Sequence, residues 1–372
     1  MDFNLNDDQR SLRDLAARIF DDACSDDAIR AFADSGQPYD KALWQTLAEA
    51  GLLGIALSEA GGGLGLGMIE LGLLLEEQGR TLAPVPLTAT VALAAWALDA
   101  HGGATQSGWL PRILAGETLV AVAIEEAGGV DPARPTTLAE ADGNGWRLSG
   151  VKYAVPYGAE AEALLVTATT ADGPGLFLVD PSGPGITIAP QRSTSGEPQA
   201  LVTLDRAVVA GDARVGEGAV VSELVQRAQV ALALRQVGVA AEALRRTADY
   251  SSNRIQFGKP LGSMQAVQQR AADAFIDVEA MRSTALLAAW QIDQGDARPA
   301  DIATAKYWAA LGGHRVTHAA QHLHGGIGAD ITYPIHRYFL TATQIGEALG
   351  GAGPMLAAIG AAVATGQTEP LA

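Results

Sequence analysis

Basic side chains are scarce in this sequence. It sets 25 Lys and Arg against 42 Asp and Glu, a formal net charge of -17 over 372 residues. A surface this acidic repels phosphate backbones and argues against nucleic acid as a partner. Cysteine is nearly absent: Cys24 stands alone, so no intramolecular disulfide and no cysteine-based metal cluster can form. That suits a reducing compartment and leads us to expect a cytoplasmic protein. The first residues, MDFNLNDDQRSL, lack the charged-then-apolar pattern of a signal peptide. No G-x-S-x-G elbow, no Walker loop and no tandem repeat occurs. The uncharged stretch Ala348–Gln367 has the length of a membrane span, but it is rich in glycine, holds Pro354 and has no basic flank. A buried or interfacial helix is expected there, and no membrane partner. Hydrophobic residues make up 48% of the chain. That supplies a core for two or three domains and excludes disorder of the whole chain.

Apolar spacing divides the chain into three. Residues 1–118 read as helical. Asn6 or Asp7 can cap a helix whose Leu12, Leu15, Ala16 and Ile19 share a face. Trp44, Leu47, Ala50 and Leu52 form a second stripe, the Gly61–Gly67 run is a loop, and further helices are expected over 68–78 and 88–100. From 119 to 215 the segments are short and β-prone: 120–124, 146–156, 163–170, 175–179, 185–190 and 200–209, separated by turn residues such as Asp142-Gly143-Asn144-Gly145. They predict a small antiparallel β-barrel. From 216 to 372 long helices return, over about 219–252, 263–294, 299–323, 334–349 and 354–366, as a helix bundle requires.

This all-α, all-β, all-α order, an α+β class of fold, resembles the acyl-CoA dehydrogenase family across essentially the whole chain. Two motifs carry the likeness further. Arg254-Ile255-Gln256-Phe257-Gly258-Lys259-Pro260, followed by Gln265, is similar to the family's R-x-x-F-G element. His324-Gly325-Gly326-Ile327-Gly328, followed by Tyr333-Pro334, is similar to its H-G-G-x-G element. The resemblance implies FAD as cofactor and an acyl-CoA substrate. A glutamate removes the α-proton, the β-hydrogen leaves as hydride to the flavin, and an electron-transfer flavoprotein accepts the electrons. It also implies that Arg254, Phe257, Gly258, Gln265, His322, Gly325 and Gly326 reach a flavin held mostly by the neighbouring chain. Chemistry agrees with those roles. Arg254 carries a permanent charge and five donors suited to a pyrophosphate, and glycines let backbone amides approach phosphate closely.

The departures are equally informative. Counting from the glycine pair, the family's usual base position falls on Leu349. Counting back from Arg254, its alternative position falls on Ala228, beside Gln229. None of these side chains can accept a proton, so no catalytic residue is assigned. Glu347 lies about 200° around a helix from Leu349 and should point away. The family's T-E-P-x-A-G-S-D becomes Ile124-Glu125-Glu126-Ala127-Gly128-Gly129-Val130-Asp131, and its W-I-T becomes Ala154-Val155-Pro156. Hydroxyls, an aromatic wall and a backbone donor are thereby lost from this chain's own flavin pocket.

Residues for a neighbour's flavin are kept while those for its own are degraded. The chain therefore resembles the base-lacking subunit of bacterial heterotetramers of two α and two β chains, many of which act on steroid side chains attached to coenzyme A. Its expected partner is a base-bearing acyl-CoA dehydrogenase subunit. Two alternatives stay open: a self-sufficient homotetramer with an unusual base such as Glu347, and a non-catalytic acyl-CoA or partner-binding scaffold. His314, His318 and His322 repeat at the helical i,i+4 interval that can bind zinc, but no carboxylate stands in HExxH register and no metal is expected.

Overall fold

The computed structural model describes residues 4–128 and 131–366. Helices come first: α1 (Asp7–Ala23), α2 (Asp26–Ser35), α3 (Lys41–Glu49), α4 (Met68–Thr81), a π-helix (Leu87–Ala95), and the short α5 (Trp96–His101), α6 (Ala104–Ser107) and α7 (Leu110–Leu114). Asn6 begins α1 with a reciprocal capping box. Its side chain accepts from the Gln9 N–H at 2.8 Å, and its own N–H donates to Gln9 Oε1 at 3.0 Å. The helix expected near 88–100 forms with a π-helical first half. There the i→i+5 ladder leaves carbonyls askew, and Arg227 donates Nε–H to the Ala92 carbonyl at 2.7 Å with its guanidinium 5.1 Å from the Trp96 ring.

The middle strands are β1 (Val120–Ala123), β2 (Leu138–Asp142), β3 (Gly145–Pro156), β4 (Ala163–Thr170), β5 (Gly173–Val179), β6 (Ile186–Arg192), β7 (Pro198–Val209) and β8 (Arg214–Val215). They form one eight-stranded sheet, ordered β6-β7-β3-β2-β4-β5-β8, with β1 beside β4. The expected closed antiparallel barrel needs correction on two counts. Strand β1 runs parallel to β4, and β2 meets β4 in parallel at Leu138 and Thr169. The ladder also does not close among the described residues. Tight turns enforce antiparallel neighbours, whereas the long connection from β1 to β2 frees β1 to pair in parallel.

After the sheet come α8 (Val220–Asn253), the hairpin β9 (Ile255–Gln256) and β10 (Lys259–Pro260), α9 (Gln265–Asp293), α10 (Pro299–His324), a 3₁₀ turn over Gly325–Ala329, α11 (Ile335–Glu347) and α12 (Ala352–Ala364). The uncharged stretch near the end folds as α12, whose 13 residues span about 20 Å, short of a bilayer core of about 30 Å. Positive φ at Leu349 (54°) and Gly350 (101°) separates α12 from α11.

The chain divides into two compact units. Among the described residues, one holds 4–31, Gly72–Ala83 and 229–366. Its core includes Val239, Ala243, Ala320, Ile335, Tyr338, Ala342 and Ile345, the inward face of the helix bundle. The other holds Phe32–Leu71 and Pro84–Ala228, with a sheet core of Ala121, Leu148, Val166, Phe177 and Val202.

Within that second unit the Lys152 ammonium is fully buried. It donates to Glu126 Oε1 at 2.7 Å, Thr167 Oγ1 at 2.9 Å and the Ile124 carbonyl at 3.3 Å. Burial pushes the Glu126 carboxyl up, but donors from Lys152, Thr136 and Thr137 outweigh it and bring the pKa down from 4.5 to about 2. The folded carboxyl thus binds its proton more weakly than the unfolded one. Glu126 contributes stability that is full above pH 4.5 and is lost as pH falls through about 2. Glu126→Gln should lower Tm at neutral pH by roughly 5 °C or more, because it leaves a buried ammonium without its carboxylate. Thermal scans of wild type and variant should converge between pH 4.5 and 2. A gap constant across that window would show that the ion pair is not its source.

Candidate functional site

Two elements of the bundle unit carry the residues that the sequence singles out. The first is the β9–β10 hairpin. Gln256 pairs with Lys259, so Phe257 and Gly258 are the two loop residues, and both have positive φ (54° and 79°). A two-residue type I′ turn requires this, and it favours Asn-Gly. A phenylalanine there is strained, and its ring is 89% exposed. Arg254 precedes the hairpin. Its backbone N–H donates to the Tyr250 carbonyl at 2.8 Å, and its exposed guanidinium has no ion-pair partner among the described residues. It lines an open cleft of about 480 Å³ with Arg245, Arg246, Asp249, Asn253 and Tyr333. Arg245 and Arg246 are already committed to Glu242 at 2.7 and 2.8 Å, leaving Arg254 as the uncommitted cation there. Gln265 opens α9 and is also exposed.

The second element is the end of α10. His322 is exposed, and Gly325 takes φ 63°, ψ -139°, a conformation that only glycine adopts readily. No atom lies within 4 Å of where a Cβ would stand on Gly325 or Gly326, so both backbones face open space. His314 and His318 sit further back on the same helix, ring centroids 5.8 Å apart.

The positions found by counting for a base come together. Gln229 Nε2–H donates to the Leu349 carbonyl at 3.5 Å and approaches Met355 Sδ at 3.7 Å. Leu349 is 8% exposed, Gln229 8% and Met355 6%. These three side chains make a packed, largely apolar junction, and the Glu347 carboxylate lies at its edge, beside Gly351. Glu347 is exposed at the end of α11.

Sequence reasoning missed what shapes this junction. The Lys306 ammonium is fully buried and donates to the carbonyls of Ile345 (3.1 Å), Gly346 (2.7 Å) and Gly350 (3.1 Å). These are the orphan acceptors of the α11 C-terminus and the turn beyond it, where the helix dipole also favours a cation.

In the sheet unit, Ile124 is buried. Ala154 stands at a register break in β3 with φ 49°, and its N–H donates to the Gln191 side chain at 3.0 Å. Pro156 has no N–H to give, and the Tyr157 N–H donates to the Pro198 carbonyl at 3.0 Å. Val130 lies outside the described residues.

Along the chain, helices precede and follow a mostly antiparallel sheet, and the bundle unit carries an arginine hairpin and a glycine turn. Profiles of known families cover the chain in three consecutive segments. The acyl-CoA dehydrogenase N-terminal domain matches residues 6–117, the middle domain 121–205 and the C-terminal domain 216–364. The chain is 38% identical to acyl-CoA dehydrogenase FadE27 of Mycobacterium tuberculosis over 369 residues, 97% of this chain and 98% of that protein. Among solved structures, the Tcur3481-Tcur3483 steroid ACAD variant shares 46% identity at a TM-score of 0.92, covering 96% of this chain and 98% of its own. The ChsE4-ChsE5 complex from Mycobacterium tuberculosis shares 37% at a TM-score of 0.94, covering 100% of both chains. The chain belongs to the acyl-CoA dehydrogenase family, oxidoreductases that act on CH–CH groups.

Two outcomes follow from this geometry. Phe257→Asn should relieve a left-handed phenylalanine that is 89% exposed, stabilising the isolated protein by about 1 kcal/mol. A fall in Tm would mean that the ring is held within the chain. Lys306→Ala should leave three buried carbonyls without their donor and cost at least about 3 kcal/mol in denaturant unfolding. It should also open the chain near Gly350 to limited proteolysis. Wild-type stability would remove Lys306 from its assigned role.

Proposed function

We propose that this chain is the base-lacking subunit of a hetero-oligomeric acyl-CoA dehydrogenase, completing an FAD site held mainly by a base-bearing partner. The observation that carries this is an asymmetry. The junction where a base would stand is packed with Leu349, Gln229 and Met355, while Arg254, Phe257 and the Gly325–Gly326 turn face outward unused.

The outward residues fit a flavin nucleotide. Arg254 offers an uncommitted charged fork for a pyrophosphate, and the open backbone at Gly325 and Gly326 admits a phosphate or ribose. Gln265 and His322 add exposed hydrogen-bonding groups, and Phe257 with Gly258 adds an apolar tip. The sheet side fits poorly: Ala154 and Tyr157 have their N–H groups committed within the chain, and Pro156 has none. FAD, when bound, supplies the acceptor for the β-hydrogen that leaves as hydride.

This chain holds and orients the cofactor's charged end, and it excludes water from the Leu349 junction by packing. It does not move the α-proton. Leu349, Ala228 and Gln229 have no basic site, so proton removal falls to the partner's glutamate. The sequence boundaries 1–118, 119–215 and 216–372 then separate a helical, a sheet and a bundle domain.

The partner is an acyl-CoA dehydrogenase subunit in a heterotetramer of two α and two β chains. The substrate is an acyl-CoA with a bulky, steroid-like acyl part. Likeness to a steroid ACAD and to the ChsE4-ChsE5 complex supports both assignments. An electron-transfer flavoprotein is the proposed acceptor, and the cytoplasm the proposed location.

The test is flavin content. The chain purified alone should carry little FAD, and co-expression with a base-bearing subunit should give a flavin for each pair of unlike chains. Arg254→Ala in this chain should weaken FAD binding by the assembled complex about tenfold. Stoichiometric FAD in the chain alone would overturn the proposal.

A further inference from the structure

Between the hairpin and the glycine turn lies a ring cluster that the proposed function does not use. His324 is the last residue of α10 and is 3% exposed. Its Nδ1 stands 2.8 Å from the Ala320 carbonyl oxygen. A carbonyl only accepts, so Nδ1 carries the hydrogen and Nε2 holds a lone pair. The Tyr333 hydroxyl, 3.4 Å from Nε2, is then the donor. Tyr250 stacks on the imidazole with centroids 4.4 Å apart and planes 23° apart. The Tyr250 hydroxyl donates to the His324 carbonyl at 3.4 Å. Burial lowers the His324 pKa, against the Ala320 hydrogen bond, which favours a neutral ring that can still accept from Tyr333.

The cluster touches both outward elements at their roots. Gly325 and Gly326 follow His324 directly. Tyr250 lies one helical turn before Arg254 and accepts its backbone N–H at 2.8 Å. One imidazole therefore ties the end of α8 to the end of α10. The ring face meets Tyr250 of α8, while the Nδ1–H holds the ring to its own helix at Ala320 and Nε2 accepts from Tyr333 before α11.

We propose that His324 is a positioning residue, fixing the separation between Arg254 and the Gly325–Gly326 turn so that both meet one FAD. This rests on the assignment of those elements to a partner's flavin. His324 itself need not touch the cofactor.

The test titrates FAD into the deflavinated complex isolated through this chain, with subunit assembly measured separately by light scattering. His324→Leu keeps bulk but removes both hydrogen bonds and the flat face. It should weaken FAD binding about tenfold while assembly holds. His324→Asn, whose amide can still donate to the Ala320 carbonyl but offers no ring face to Tyr250, should recover part of the loss, and Tyr333→Phe should cost about threefold. A purely structural role would move FAD affinity, assembly and Tm together, with no recovery in the Asn variant. Wild-type FAD affinity in His324→Leu overturns the proposal, as does an affinity that falls only in step with assembly. Should His324→Leu fail to assemble, His324→Asn and Tyr333→Phe decide, and unchanged affinity in both overturns it. Arg254→Ala is the control. If it weakens FAD binding and the His324 variants do not, only the positioning role fails. If it too has no effect, the assignment to a partner's flavin fails and His324 with it.

Discussion

A buried ammonium that bonds three backbone oxygens sets the shape of the turn between α11 and α12. Lys306 reaches from the middle of α10 to the end of α11 and gathers the carbonyls of Ile345, Gly346 and Gly350. Without that donor the last turn of α11 would bury acceptors unpaired, at about 1–3 kcal/mol each. With it, the helix ends at Glu347, the chain passes through left-handed Leu349 and Gly350, and α12 starts in a new direction. The Leu349 carbonyl is thereby presented to Gln229.

Because Lys306 bonds to main-chain atoms, its hold on the turn does not depend on which side chain stands at 349. On the proposed function, a carboxylate there can give way to leucine with those three bonds kept. Loss of catalytic function and retention of fold are thus physically separable in this architecture. Under the proposed function, that separation is what would let this subunit remain a good structural half while its partner keeps the reaction. The buried Lys152–Glu126 pair in the sheet unit behaves differently. Its ammonium is answered by a side-chain carboxylate, so either partner's replacement leaves a charge stranded.

Helices were legible in the sequence because period, caps and breakers agree locally. The long bundle helices were expected to within a few residues, and Asn6 caps α1 as its chemistry suggests. The sheet was legible strand by strand and not in its pairing. Strand β2 (Leu138–Asp142) carries Ala, Glu and Asp, which have low β-propensity, and it exists because the tight turn after Asp142 folds it onto β3. Parallel pairing of β1 with β4 is a long-range outcome that no local pattern encodes. The π-helix was invisible for a similar reason: Arg227, far along the chain, stabilises it. Of the site, the two motifs were readable as residue patterns. Lys306 and His324 were not read for their roles, since their partners are main-chain oxygens and rings that only the fold brings near.

Phe257 shows how far a single chain can explain itself. Local rules ask for Asn or Gly at a left-handed turn position and for a polar side chain at a hairpin tip. The sequence breaks both rules at once, with a ring 89% exposed and φ at 54°. Strain that persists in a well-formed fold needs compensation. Nothing in contact with this ring in its own chain supplies it, since so exposed a side chain packs on almost nothing. The uncommitted Arg254 charge and the open glycine turn present the same imbalance in other currencies, electrostatic and steric. Three independent deficits within one unit are most economically balanced by one external body that is anionic, flat and apolar in parts. The flavin nucleotide of the proposed function, seated in a neighbouring subunit, would have those properties together, whereas a free phosphate or an apolar helix has only some of them.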